Sequence, residues 1–193
     1  MKGIYIFLAE GYEPLEALAP MDILRRAKLD VKFVSLSSSK LVPSTQGYAI
    51  EADLCWQEFL SSVQTEGTGA SDCMIFPGGL PGAQTLGENA VLMDLLRAHW
   101  ADGGLVGAIC AAPAKVVAAN LKGCLDGKRM TVYEGWEKDL EAAGASPTGT
   151  GVCLDGQLVT AKGPGLAVDF GLALLARIVD PRIYDVVKHA MML

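Results

Sequence analysis

Short apolar runs alternate with longer amphipathic stretches along this chain, a pattern that predicts a parallel sheet covered by helices. The first run, residues 4–8, is apolar throughout and leads through Glu10, Gly11 and Tyr12 to Glu13 and Pro14. It reads as a buried strand, and a helix is predicted to begin at Glu13 and Pro14. Proline suits a first helical turn because its missing N–H has no intrahelical partner there. Leu15, Leu18, Ile23 and Leu24 supply an approximate apolar stripe down to Ala27, with Pro20 expected to kink the helix. Residues 31–36 predict the second strand, Ser37, Ser38 and Ser39 a polar turn, and residues 48–51 a short strand. Residues 61–71, with Gly67 and Gly69, read as a surface loop.

Residues 73–76 form the next apolar run and end in Pro77, Gly78 and Gly79. One helix is predicted through Leu92, Leu95 and Leu96 to Trp100, stopped by Gly103 and Gly104. Residues 105–109 predict a further strand ending at Cys110, and the alanine-rich residues 111–120 a helix. Asp155 and Gly156 between two apolar runs predict a hairpin. Gly163, Pro164 and Gly165 then turn the chain into an apolar helix over 166–179, with a shorter helix from Arg182. With no internal repeat, linker or low-complexity segment, residues 1–193 read as a single domain.

Composition narrows the classes. Hydrophobic residues at 51% and charged residues at 20% fit a chain that buries a core. A net charge of −6 without a basic run argues against nucleic acid or an anionic membrane as partner. The N-terminal apolar run meets Glu10 too early for a membrane span and lacks a signal-peptide cleavage pattern, so a cytoplasmic location is expected. The five cysteines are odd in number and contain no C-x-x-C pair, so neither a disulfide framework nor a zinc site is expected. There are two histidines, His99 on a predicted surface helix and His189 in the tail.

Three places could carry chemistry. Cys110 sits where a buried strand gives way to a helix, among the small residues Gly107, Ala108, Ala111 and Ala112. This is the mechanical logic of a nucleophile elbow, and a helix N-terminus there would favour the thiolate. A buried inert thiol at the end of a central strand fits the same position. Gly78 and Gly79 follow another central strand, where backbone N–H groups could face an oxyanion; an ordinary tight turn fits as well. Glu16, early in the first helix, belongs to the same edge of the sheet. Beside a thiolate it would hold and shuttle a proton, whereas on its own it reads as a solvated surface acid.

Taken together, Glu16 after the first strand, Pro77-Gly78-Gly79, the segment from Ala108 to Pro113, and Lys162-Gly163-Pro164-Gly165 resemble the ThiJ/PfpI superfamily. The branch they resemble is that of the Parkinsonism-associated deglycase and its bacterial ThiJ-like relatives. The resemblance implies a flavodoxin-like three-layer α/β sandwich, with a mostly parallel sheet and helices on both faces, as in class I glutamine amidotransferases. It implies a homodimer, Cys110 on a strained elbow, Glu16 as its acid, and Gly78, Gly79 and Ala111 as backbone donors around an anion. The activities it implies are cofactor-free glyoxalase or deglycase action on small 2-oxoaldehydes such as methylglyoxal or their adducts, with no metal. An oxidative-stress sensor or chaperone working through oxidation of Cys110 is the alternative. Family names also invoke an intracellular peptidase and thiazole monophosphate biosynthesis.

Two departures from the family pattern matter. Ala111 stands where the protease branch has histidine, which removes a local Cys–His dyad. Tyr133 stands where the deglycase branch has a histidine near the cysteine, and tyrosine is a poor proton carrier near neutral pH. A glutamine amidotransferase triad lacks its His-x-Glu pair downstream of Cys110.

Overall fold

The computed structural model describes residues 3–65 and 73–193. The chain runs β1 (Ile4–Leu8), α1 (Pro14–Arg26), β2 (Val31–Ser35), a small hairpin of β3 (Leu41–Pro43) and β4 (Ala49–Glu51), and α2 (Trp56–Thr65). Then follow β5 (Cys73–Phe76), α3 (Leu80–Glu88), α4 (Ala90–Ala101), β6 (Leu105–Ile109) and a π-helical turn at Pro113–Ala118. Short strands β7 (Arg129–Met130) and β8 (Ser146–Pro147) flank α5 (Glu137–Ala142). Hairpin β9 (Val152–Asp155) and β10 (Leu158–Ala161) precedes α6 (Ala167–Ile178) and α7 (Pro181–Ala190).

The central sheet has six strands in the order β2-β1-β5-β6-β10-β9, all neighbours parallel except the antiparallel edge strand β9. From β1 the chain moves outward to β2, then returns to β5 on the other side of β1. In such sheets the crevice at the carboxyl ends of the strands, where the winding reverses, is the usual place for a site.

The pleat divides β1 between two layers. Tyr5 and Phe7 face a core shared with Phe59, Leu86, Leu96 and Val117, from α2, α3, α4 and the π turn. Ile4, Ile6 and Leu8 face the other core, with Ile23 and Leu24 of α1 and Phe170 and Leu174 of α6. Each such large side chain contributes about 1.5–3 kcal/mol on leaving water. Together the two layers give the flavodoxin-like α/β sandwich that the motifs imply. Gly107, in mid-β6, lets α6 lie close, since a β-carbon there would stand 2.9 Å from Leu174 Cδ2 and 3.1 Å from Phe170 Cζ.

Several local expectations change. The stretch read as one helix through Leu92 is two, because the Asn89 side chain caps a new start by accepting the Leu92 N–H at 2.9 Å. Residues 61–65, read as loop, continue α2; the rest of that predicted loop lies outside the described residues. Leu15 and Leu18 are exposed, and the buried side of α1 is Pro14, Glu16, Ala17, Pro20, Met21, Ile23 and Leu24. His99 is buried rather than on the surface, its Nε2 lying 2.9 Å from the Leu105 carbonyl at the opposite end of β6 from Cys110. Among the described residues no helix is long and apolar enough to cross a membrane.

Candidate active site

Cys110 leaves β6 with φ of 64°, a left-handed conformation that costs an L-residue on the order of 1–3 kcal/mol. Its neighbours hold it there. The Cys110 N–H donates to the Ala161 carbonyl at 2.9 Å, and its carbonyl accepts the Tyr133 N–H at 3.0 Å. One bond fastens the residue to the end of β10, the other to the segment after β7. The half-buried sulfur is thus aimed by backbone on both sides. The Gly79 and Ala111 N–H groups favour its charged form.

Glu16 arrives from α1. Glu13 caps that helix by accepting the Glu16 N–H at 2.9 Å, and its own N–H donates to the Gly78 carbonyl at 2.9 Å. This fixes the first turn against the loop after β5. The Glu16 side chain is fully buried, and its Oε2 accepts the Gly78 N–H at 2.7 Å. Gly78 was expected as a donor to a bound oxyanion; its N–H instead serves this carboxyl. Oε1 is buried without a hydrogen bond of ordinary geometry, and the Cys110 thiol is a polar neighbour facing the group.

The two glycines work by absence of a side chain. A β-carbon on Gly78 would stand 2.6 Å from Glu16 Oε2, 2.7 Å from Cys110 Cβ and 3.0 Å from Cys110 Sγ. The carboxyl and the sulfur therefore crowd one point, which any side chain at 78 would fill. Gly79 has φ of 82°, and a β-carbon there would press on the Gly11 carbonyl and stand 2.6 Å from the Glu13 nitrogen.

Burial pushes the Glu16 carboxyl up to about 7, opposed by the Gly78 N–H and reinforced by the Glu13 charge. The Cys110 thiol is pushed up to about 12, first by burial, then by the Glu16 charge and its hydrogen bond to Glu16, against the Gly79 and Ala111 N–H groups. A helix N-terminus alone was expected to lower this thiol. It does not prevail, because burial disfavours the thiolate and the neighbouring Glu16 carboxyl competes for the negative charge. The sulfur and carboxyl titrate as a pair: the first proton to leave belongs to both, and the second leaves at high pH. Within the singly charged pair, one proton can pass between carboxyl and sulfur.

Tyr133 is half-exposed and lines a cleft with Gly163; its backbone, and not its hydroxyl, is what bonds to Cys110. His189 is exposed on α7. Among the described residues no group of three or more His, Cys, Asp or Glu side chains is arranged to hold a metal. Sequence reasoning missed Glu13 and Ala161. Glu13 was readable, since an acid three residues before Glu16 at a helix start has capping spacing. Ala161 acts through its carbonyl and leaves no side-chain signal.

A sequence profile of the DJ-1/PfpI family matches residues 2–177. The chain belongs to the DJ-1/PfpI family. Among its relatives, the Arabidopsis thaliana protein DJ-1 homolog A is 33% identical across 100% of this chain, which spans only 47% of that protein's length. The Caenorhabditis elegans protein named glutathione-independent glyoxalase DJR-1.2 is 28% identical over 93% of this chain and 90% of its own length. The crystal structure of Drosophila melanogaster DJ-1beta, 30% identical, matches with a TM-score of 0.86 over 100% of this chain and 98% of that one.

Proposed function

We propose that this protein is a cofactor-free, cysteine-dependent glyoxalase acting on small 2-oxoaldehydes such as methylglyoxal or adducts formed from them. The observation that carries the reading is the fully buried Glu16 carboxyl sharing one point of space with the Cys110 sulfur. The relative named as a glutathione-independent glyoxalase supports the same class. In the singly charged pair, sulfur attacks the aldehyde carbon while Glu16 gives its proton to the carbonyl oxygen, forming a hemithioacetal. Glu16, now a carboxylate, takes the proton from that carbon and returns one to the neighbouring carbon through an enediol. The result is a thioester of a 2-hydroxy acid. Water adds to it, the C–S bond breaks, and lactate leaves when methylglyoxal is the substrate. The sum is the addition of one water, so no external oxidant or reductant is needed. Gly79 and Ala111 N–H groups steady negative charge at the reacting centre.

Lactate formation from methylglyoxal by wild type, Cys110→Ser and Glu16→Gln tests the reading. Each substitution is expected to lower kcat/KM by roughly 100-fold or more. Equal rates in wild type and Cys110→Ser would remove it. The same reading takes the protein as a cytoplasmic homodimer.

A second reading draws on the same geometry. A sulfinate on Cys110 would accept the Gly79 and Ala111 N–H groups and a proton from Glu16, which suits a redox sensor. Each of the two oxidation steps would consume one peroxide and release water. The exposed Cys124 is an internal control. Mass spectrometry after mild peroxide treatment should find Cys110 modified first; prior modification of Cys124 would remove this reading.

A further inference from the structure

Beside the elbow lies a cleft of about 240 Å³, with Tyr133 and Glu134 on one wall and Lys162, Pro164 and Leu166 on the other. Both walls start from the backbone of Cys110 itself. Tyr133 donates its N–H to the Cys110 carbonyl, and Lys162 directly follows Ala161, whose carbonyl accepts the Cys110 N–H. The ring of Tyr133 rests over Gly163, where a β-carbon would meet its Cδ2 at 3.4 Å, so the absent side chain keeps the floor open. Lys162 is half-buried, and none of the ion pairs among the described residues involves it. Glu134 shares the cleft yet is exposed, and it does not pair with the lysine. A half-buried lysine without a carboxylate partner, in a cleft that a tyrosine also lines, is a place for an anion from outside the chain.

We propose that this cleft is a carboxylate subsite, so that the preferred substrate is a 2-oxoaldehyde carrying an acidic tail, held by Lys162 and the Tyr133 hydroxyl. The inference rests on the glyoxalase reading and specifies its substrate class. Methylglyoxal has no charged group for Lys162 to bind. A straight chain such as 4,5-dioxopentanoate, with its aldehyde at the sulfur, brings the carboxylate that the cleft would take. Its product by the same addition of water is 2-hydroxyglutarate, whose second carboxylate stays with Lys162.

The test compares 4,5-dioxopentanoate with methylglyoxal in wild type, Lys162→Gln and Lys162→Arg, together with calorimetric binding of 2-hydroxyglutarate and lactate. Wild type is expected to prefer the acidic substrate by about tenfold or more in kcat/KM, the strength of one charge-assisted hydrogen bond. Lys162→Gln should bring that ratio close to one through KM, and Lys162→Arg should retain most of it. Wild type should bind 2-hydroxyglutarate more tightly than lactate, and Lys162→Gln should abolish the difference. If methylglyoxal is turned over and the acidic substrate gains nothing, the subsite is overturned while the glyoxalase reading stands. If neither aldehyde is turned over, the glyoxalase reading fails, and Lys162-dependent binding of 2-hydroxyglutarate would still support the subsite. Absence of that binding in wild type overturns it.

Discussion

Glu16 holds its proton in the folded chain at a pH where an exposed glutamate has already lost it, and that difference is a stability term. Its carboxyl is raised from 4.5 to about 7, chiefly by burial. Between those values the folded state binds more protons than the unfolded state, so stability falls as pH rises through this window and levels off above it. The loss is on the order of 3 kcal/mol for a shift of that size. Glu16→Gln has no such proton to lose. Urea unfolding of both proteins from pH 5 to pH 8 should show the variant gaining on wild type by roughly 2–3 kcal/mol, and parallel curves would contradict the buried-proton account. This state was only partly legible in the sequence. The place of Glu16 after the first strand suggested the right edge of the sheet, but its depth depends on which side of α1 turns inward. The exposure of Leu15 and Leu18 shows that the apolar count along the helix misjudged that side. Gly78 was legible as a small residue at a strand end. That it separates an acid from a sulfur was not, because the partners come from α1 and β6, far apart in the chain.

At the scale of elements, the site depends on how closely α1 packs against α6. Gly171 on α6 makes this approach possible: a β-carbon there would meet Ile23 Cδ1 at 2.6 Å and Pro20 Cα at 3.1 Å. Ile23 could rotate away, but the backbone at Pro20 could not. Proline has no N–H to bond and its flat ring edge lets another helix settle on it, so Pro20 within α1 serves packing as well as shape. Gly171→Val should therefore displace α1, costing about 1–3 kcal/mol in urea unfolding and carrying Glu16 away from Gly78. Methylglyoxal turnover should fall in the same variant even at temperatures where it stays folded. A change within 0.5 kcal/mol and full activity would show that the contact is slack. The elements themselves were largely legible, since β1, β5 and β6 are continuous apolar runs and the Asp155–Gly156 hairpin carries its turn residues. The break at Asn89 and the π turn after Cys110 were not. The first hides a side-chain cap within a helical composition, and the second is a choice of hydrogen-bond register that alanine-rich sequence does not announce.

For the whole molecule, the winding order explains why these residues meet: β1, β5 and β6 are adjacent, and the segments leaving their carboxyl ends carry Glu16, Gly78 and Cys110. The same logic can be tested on the second copy of the chain proposed above. Leu15 and Leu18, one helical turn apart on α1, are 58% and 39% exposed, on either side of the fully buried Glu16. An exposed leucine pair on the helix that carries the site is poorly explained by the single chain, whose α1 already buries its other side against α6. Covered by the partner in the homodimer proposed above, the two leucines would be removed from water, and the first turn of α1 would be clamped where Glu13 and Gly78 hold it. Sedimentation equilibrium should then give twice the mass of one chain. Leu15→Glu with Leu18→Glu should shift the protein to a monomer that stays folded, because neither side chain belongs to the core. Turnover of methylglyoxal should drop in that monomer as the first turn of α1 loosens around Glu16. A wild-type monomer at micromolar concentration would sink the proposal, as would a double variant that remains dimeric.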